Sequence, residues 1–126
     1  MADTTRDLIL THWRLANARD WPAFARLLHP ALTYDVPQTR EYIETGAGYL
    51  DMFVTWPGDW QAEIRRLVCE PQQAVCIIDF KVGGEVMTGI SVFDVADGLI
   101  TRVTDYWPDP YDPPPRTSAH LKRRPA

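Results

Sequence analysis

Disulfide-forming and metal-binding residues are scarce in this chain. Two cysteines, Cys69 and Cys76, are too few to frame a secreted miniature domain, and no Cys-x-x-Cys spacing marks a metal or redox site. They flank the turn-like Pro71-Gln72-Gln73-Ala74 and read as two buried, reduced thiols. The three histidines, His12, His29 and His120, are scattered, so neither a metal nor a cofactor is expected. Basic charge is also short: 13 Lys and Arg against 17 Asp and Glu leave a net charge of −4. That balance lacks the footprint of a nucleic-acid-binding protein. The one basic cluster, Lys122-Arg123-Arg124, reads as a solvated tail. No apolar run reaches membrane-spanning length, and Asp3-Thr4-Thr5-Arg6 is not the start of a secretory signal. No membrane partner and a cytoplasmic location are therefore expected. No internal repeat is present.

What the chain does have is core-forming material. With 126 residues, 45% of them hydrophobic and 11% aromatic, it suits one folded domain. Thr4 or Thr5 is a candidate cap for a first helix, in which Leu8, Ile9, His12, Trp13 and Ala16 recur at helical spacing. Asp20-Trp21-Pro22 starts a shorter helix that buries Phe24, Leu27 and Leu28. Leu32 to Val36 reads as a strand stopped by Pro37, and Gln38 to Thr45 as a polar loop. A third helix opens at Thr45-Gly46, carries Tyr49, Leu50, Phe53 and Val54, and ends at Trp56-Pro57-Gly58. Four strand-like runs follow: 60–69, 74–82, 85–95 and 99–107. This order predicts an α+β fold with helices on one side of a curved antiparallel sheet. The prolines from Pro108 to Pro115 predict an extended C-terminal arm, giving a domain over 1–108 and an arm over 109–126.

One residue is out of place in this pattern. Along Leu99 to Trp107, Asp105 shares a face with Val103 and Trp107, so a carboxylate lies on a face that must pack. Asp97-Gly98 and Gly83-Gly84 are two-residue turn signals, and symmetry about them and about Gln72-Gln73 sets a register. That register pairs Asp105 with Ile90, Trp107 with Thr88, Thr88 with Asp79, and Asp79 with Arg66. It thus gathers Asp105, Asp79, Thr88, Ile90, Arg66, Val103 and Trp107 on one face; a β-bulge would shift part of it. A cavity lined by apolar groups with a few convergent polar ones is the form of a small-molecule pocket. The opposite face, also apolar, suits a second copy of the chain.

Three stretches resemble the nuclear-transport-factor-2-like superfamily, especially its SnoaL-like branch. Leu15-Ala-Asn-Ala-Arg-Asp-Trp21, followed by Leu27-Leu28-His29-Pro30-Ala31, is similar to the link between that family's first helices. Gly89-Ile-Ser-Val-Phe-Asp-Val95 with Asp97-Gly98-Leu99-Ile100 resembles its "GxxxFxxxdGkI" pattern, and Asp105-Tyr106-Trp107 its "DYF/DYW" strand end. The resemblance implies a cone-like roll of three N-terminal helices on a strongly curved, mixed but mainly antiparallel sheet (cystatin-like) that encloses a pocket. In limonene-epoxide-hydrolase relatives the matching acids help activate water, which implies roles for Asp105 and Asp79. Ile77 stands where those relatives have an arginine, a place Arg66 could fill from the next strand. Their first-strand Tyr and Asn fall on Thr33 and Asp35. In ketosteroid isomerases the base precedes a proline on the first strand, one residue from Asp35, and the first-helix tyrosine matches His12.

The expected function is binding of an apolar or polyketide-like small molecule, with acid/base chemistry of isomerase, cyclase or hydrolase type. The expected catalytic residues are Asp105, Asp79 and His12. The expected ligand-binding residues are Trp107, Thr88, Arg66, Tyr34, Asp35, Val103, Ile90 and Phe53. A non-catalytic ligand-binding or protein-interaction module is the alternative, and a homodimer through the outer sheet face is expected in either case.

Overall fold

Residues 4–125 are described by a computed structural model. Three helices precede most of the sheet: α1 (Thr4–Ala18), α2 (Trp21–Ala25) and α3 (Gly46–Thr55). The strands are β1 (Leu28–Val36), β2 (Glu41–Ile43), β3 (Gln61–Glu70), β4 (Gln73–Val82), β5 (Glu85–Ala96) and β6 (Leu99–Tyr106). They form one open, mixed six-stranded sheet in the order β2-β1-β6-β5-β4-β3. All neighbours are antiparallel except β1 and β6, which run parallel because α3 and the meander intervene between them. The α+β class and the N-terminal helices are as the sequence pattern predicts.

Local chemistry accounts for most boundaries. Asp20 caps α2 by accepting from the Ala23 N–H, with Pro22 in the first turn, and Thr45 caps α3 by accepting from Gly48. Thr4 and Thr5 lie within α1, so neither precedes it as a cap; the residues before them are outside the described range. Thr5 instead donates its hydroxyl to the Pro71 carbonyl at 2.5 Å. At the far end of α1, the Asn17 amide donates to the Ala62 carbonyl and accepts from the Ala62 N–H, both at 2.8 Å. A side-chain amide thereby supplies the edge strand β3 with the pair of bonds that a neighbouring strand would give.

Two strand features differ from expectation. β1 begins at Leu28 rather than Leu32, and a register shift between Leu28 and Thr33 absorbs Pro30. β2, three residues of the segment read as a loop, pairs with β1 after a turn over 37–40; it is short and polar, with nothing in its pattern to mark it.

Two bulges decide which face each side chain takes. β5 and β6 start in register, Ala96 with Leu99 and Val95 with Ile100, as a two-residue Asp97-Gly98 turn requires. Thr101 is then an extra residue: Asp94 pairs with Arg102 and Ser91 with Asp105. The Thr101 hydroxyl donates to the Asp94 carbonyl at the irregularity. On β3, Arg65 is extra between Ile64 (opposite Ile78) and Arg66 (opposite Ile77). The predicted pairings of Asp105 with Ile90 and of Arg66 with Asp79 are therefore corrected, whereas Thr88 with Asp79 holds.

The helices cover the face bearing Cys76, Ile78, Phe80, Phe93 and Val103, which are buried with Phe24, Tyr49, Phe53 and Trp60. Gly46 lets α3 approach β1, since a Cβ there would lie 2.5 Å from the His29 carbonyl oxygen.

Candidate functional site

The helix-covered face opens between β1, β2, the end of α3 and Trp107. There an apolar basin of about 630 Å³ is lined by Val36, Ile43, Met52, Trp56, Met87 and Trp107, with Thr39, Arg40, Glu41 and Tyr42 also on its wall. Such a volume suits a small organic molecule. Tyr34, Met52, Trp56 and Trp107 line both this basin and a narrow inner cleft of about 20 Å³ that ends at Asp105. Trp107 is set by its neighbours: its ring packs edge-on to Phe80, and a Cβ at Gly89 would lie 3.0 Å from it. The Gln38 side-chain amide accepts from the Trp107 N–H and donates to the Trp107 carbonyl.

Asp105 is 7% exposed. Tyr34 donates to one of its oxygens and Ser91 to the other, each at 2.6 Å. No Lys, Arg or His forms an ion pair with it among the described residues. Burial raises its pKa above that of an ordinary aspartate, and the bonds from Ser91 and Tyr34 offset part of the rise. Burial and the nearby carboxylate raise the Tyr34 pKa as well, so its hydroxyl remains a proton donor to Asp105. Each carboxyl oxygen keeps a second lone-pair direction beyond the bond it already accepts. The pair is thus a carboxyl group of raised basicity, backed by two hydroxyls, beneath an apolar basin. Cys76, opposite Ser91 in register, is buried and its thiol is pushed up to about 12, so it stays protonated.

The structure brings only some of the predicted residues together. Asp105, Tyr34, Phe53 and Trp107 line the inner cleft, and Val103 is fully buried beside Tyr34. Asp79, Thr88, Ile90 and Arg66 do not meet Asp105, because the Thr101 bulge puts them on the opposite face. There Asp79 pairs with the bulged Arg65 at 2.7 Å. Asp35, next to Tyr34 on β1, faces a shallow outer groove with Arg102, Thr104 and Tyr106.

His12 is not at the cleft either. It is 0% exposed and ringed by Trp13, Phe24, Tyr49, Phe53 and Phe93. Its Nε2 lies 2.8 Å from the Tyr49 hydroxyl, its Nδ1 has no hydrogen-bond partner, and burial lowers its pKa to about 3. It is a neutral core residue at physiological pH. Ser91, Gln38, Met52 and Trp56 were not predicted. Ser91 follows from the bulge; Gln38 lay in the segment read as a loop.

Residues 9–103 match the SnoaL-like domain family. The chain belongs to that family. A protein of Kribbella flavida DSM 17836, provisionally named a ketosteroid isomerase, is 38% identical over 98% of this chain and 91% of its own, with a TM-score of 0.90. The fold also recurs in an M. tuberculosis LEH-like epoxide hydrolase (17% identity, TM-score 0.68, 81% and 80% of the two chains). It recurs again in a provisionally named polyketide cyclase of Xanthomonas campestris pv. campestris (22%, 0.66, 83% and 90%). No functionally curated protein matches the chain by sequence. The SnoaL-like sheet and helices are thus shared, while proteins of this fold carry names for three different activities.

Proposed function

We propose that this SnoaL-like protein binds an apolar small molecule in the basin and acts on it by proton transfer through Asp105, in a reaction of isomerase, cyclase or hydrolase type. The observation that carries the reading is a buried carboxyl without a cationic partner on the wall of a narrow, mostly apolar cleft. As the carboxylate, Asp105 takes a proton from the ligand; as the acid, it returns one to a different atom. For isomerisation or cyclisation that balances without a co-reactant; in a hydrolase-type reaction the proton is taken instead from a water molecule, whose oxygen bonds to the ligand as a C–O bond breaks, and is returned to the oxygen released. Tyr34 steadies the charged form by donating to it, and it borders both the basin and the cleft, where a ligand oxygen would meet it. The inner cleft holds about 20 Å³, so Trp107, Met52 or Trp56 must yield for a ligand to reach the carboxyl. The test is a panel of apolar ketones and epoxides assayed with wild type and Asp105→Asn. Turnover confined to wild type supports the reading, and equal turnover by both removes Asp105 from it.

A second reading, ligand binding without chemistry, draws on the fact that both Asp105 oxygens are already hydrogen-bonded. It predicts thermal stabilisation by a ligand that is recovered unchanged.

The uncovered sheet face bears Val68 and Val86, 66% and 58% exposed, together with Val75 and Tyr106. We assign this face to a homodimer interface, since so much exposed apolar surface on a single chain calls for a cover. Light scattering should give twice the chain mass at micromolar concentration, and Val75→Lys should halve it. A wild-type monomer contradicts the assignment.

A further inference from the structure

Two arginines adopt the left-handed backbone conformation that costs a non-glycine residue energy: Arg19 at φ +60° and Arg40 at φ +64°. Arg19 has a structural reason to be there. Its guanidinium donates to the Trp60, Ala16 and Asn17 carbonyls and stacks 3.8 Å over the Trp60 ring. The Arg40 side chain has no such anchor: among the described residues it makes no hydrogen bond or ion pair. It closes the β1–β2 turn, where its N–H donates to the Val36 carbonyl, and it borders the basin. The acid beside it, Glu41, borders the basin too, but its carboxylate accepts from the Thr39 hydroxyl at 2.6 Å instead of pairing with Arg40. On the far side of the turn Arg40 also borders the shallow groove that holds Asp35 and Arg102, and it pairs with neither Asp35 nor Glu41 there.

We propose that Arg40 makes the basin a receptor for an apolar anion. The ligand's ring body would lie on Met52, Trp56, Met87 and Trp107, and its carboxylate or comparable acidic group would meet the Arg40 guanidinium at the rim. This rests on the reading of the basin as a small-molecule site and adds the class of molecule. A chain of net charge −4 repels anions at long range, so an unpaired guanidinium at an apolar mouth gives the local attraction that an anionic ligand needs. Its planar fork matches a carboxylate in two parallel bonds. The inner cleft beyond the basin, lined by Tyr34 and Asp105, is left for an oxygen or acidic C–H of the same molecule.

The test compares two fluorescent probes that differ by one charged group: anilinonaphthalene sulfonate and its uncharged parent, N-phenylnaphthylamine. Arg40→Gln should weaken the sulfonate by about fivefold to tenfold and leave the parent within about twofold, the size of one partly exposed charge contact. Added salt should weaken the sulfonate in wild type and not in the variant. Arg40→Gly, suited to this backbone conformation, should lose the sulfonate equally while its Tm stays level or rises. Sulfonate affinity unchanged in Arg40→Gln, with the parent still bound, overturns the proposal. A fall in Tm with loss of both probes also overturns it, because Arg40 would then be structural. So does a changed oligomeric state at constant sulfonate affinity, which would assign Arg40 to an interface. If neither probe binds wild type, or if Trp56→Ala leaves both affinities intact, the small-molecule reading of the basin itself fails, and this proposal fails with it.

Discussion

Asp105→Asn should lower turnover by about 10²- to 10⁴-fold, the usual contribution of a positioned acid or base, and at neutral pH it should make the protein more stable. The two effects share one cause. In the fold, burial raises the Asp105 pKa, so the unfolded chain loses its proton first as pH rises. Below about pH 4 both states are protonated and no penalty exists. As pH rises toward the folded-state pKa the penalty on the fold grows, and above that pKa it stays constant. An asparagine removes it. The amide can still accept from one of Tyr34 and Ser91 and donate to the other, whose hydroxyl rotates to suit. Thermal melts at pH 7 and pH 4 therefore separate the variant from wild type: a Tm advantage of a few degrees at pH 7 that shrinks at pH 4. A residue placed for stability alone would give the reverse, a lower Tm in the variant at both pH values.

His12 predicts an opposite pH dependence. It is neutral in the fold with its pKa lowered from 6.5 to about 3, whereas the unfolded chain takes up a proton near pH 6.5. Stability from this residue is fully present above pH 6.5 and is lost as pH falls toward 3. Between pH 6.5 and about 3, at about 1.36 kcal/mol per pH unit, the loss is on the order of 5 kcal/mol. Asp105 works against it as pH falls from its raised pKa toward about 4, so urea titrations are cleanest in the Asp105→Asn background. There, His12→Phe should flatten the acid limb. It should also cost about 1–3 kcal/mol at pH 7, because the buried Tyr49 hydroxyl loses its partner. An acid limb as steep in the Phe variant as in its parent would contradict the burial account of His12.

These two residues also mark how far the sequence can be read. Asp105 and Trp107 stood out because an acid and an indole share a strand face that has to pack, and the structure places both at the cleft. The helices followed from their periodicity and from Asp20, Pro22 and Thr45. The acid's neighbours were not legible. A single extra residue at Thr101 turns a strand over by one position, and nothing about a threonine among β-branched residues announces it. The turn-based register therefore gathers Asp79, Thr88, Ile90 and Arg66 with Asp105 and leaves out Ser91, its actual partner. His12 illustrates a different ambiguity. Helical spacing identifies a buried face, but only the packing distinguishes a ring of five aromatic side chains from a cavity wall. Asn17 and Gln38 act through side-chain amides bonded to strand backbone, and that role depends on long-range geometry.

Carbon NMR of the Asp105 side-chain carboxyl, titrated with and without N-phenylnaphthylamine, reads out whether a carboxyl of raised pKa lines a ligand cleft. The account predicts a midpoint above that of an ordinary aspartate in the free protein, and a further rise when the apolar probe displaces water from the cleft. A midpoint at or below the ordinary value, unmoved by a bound probe, would contradict it.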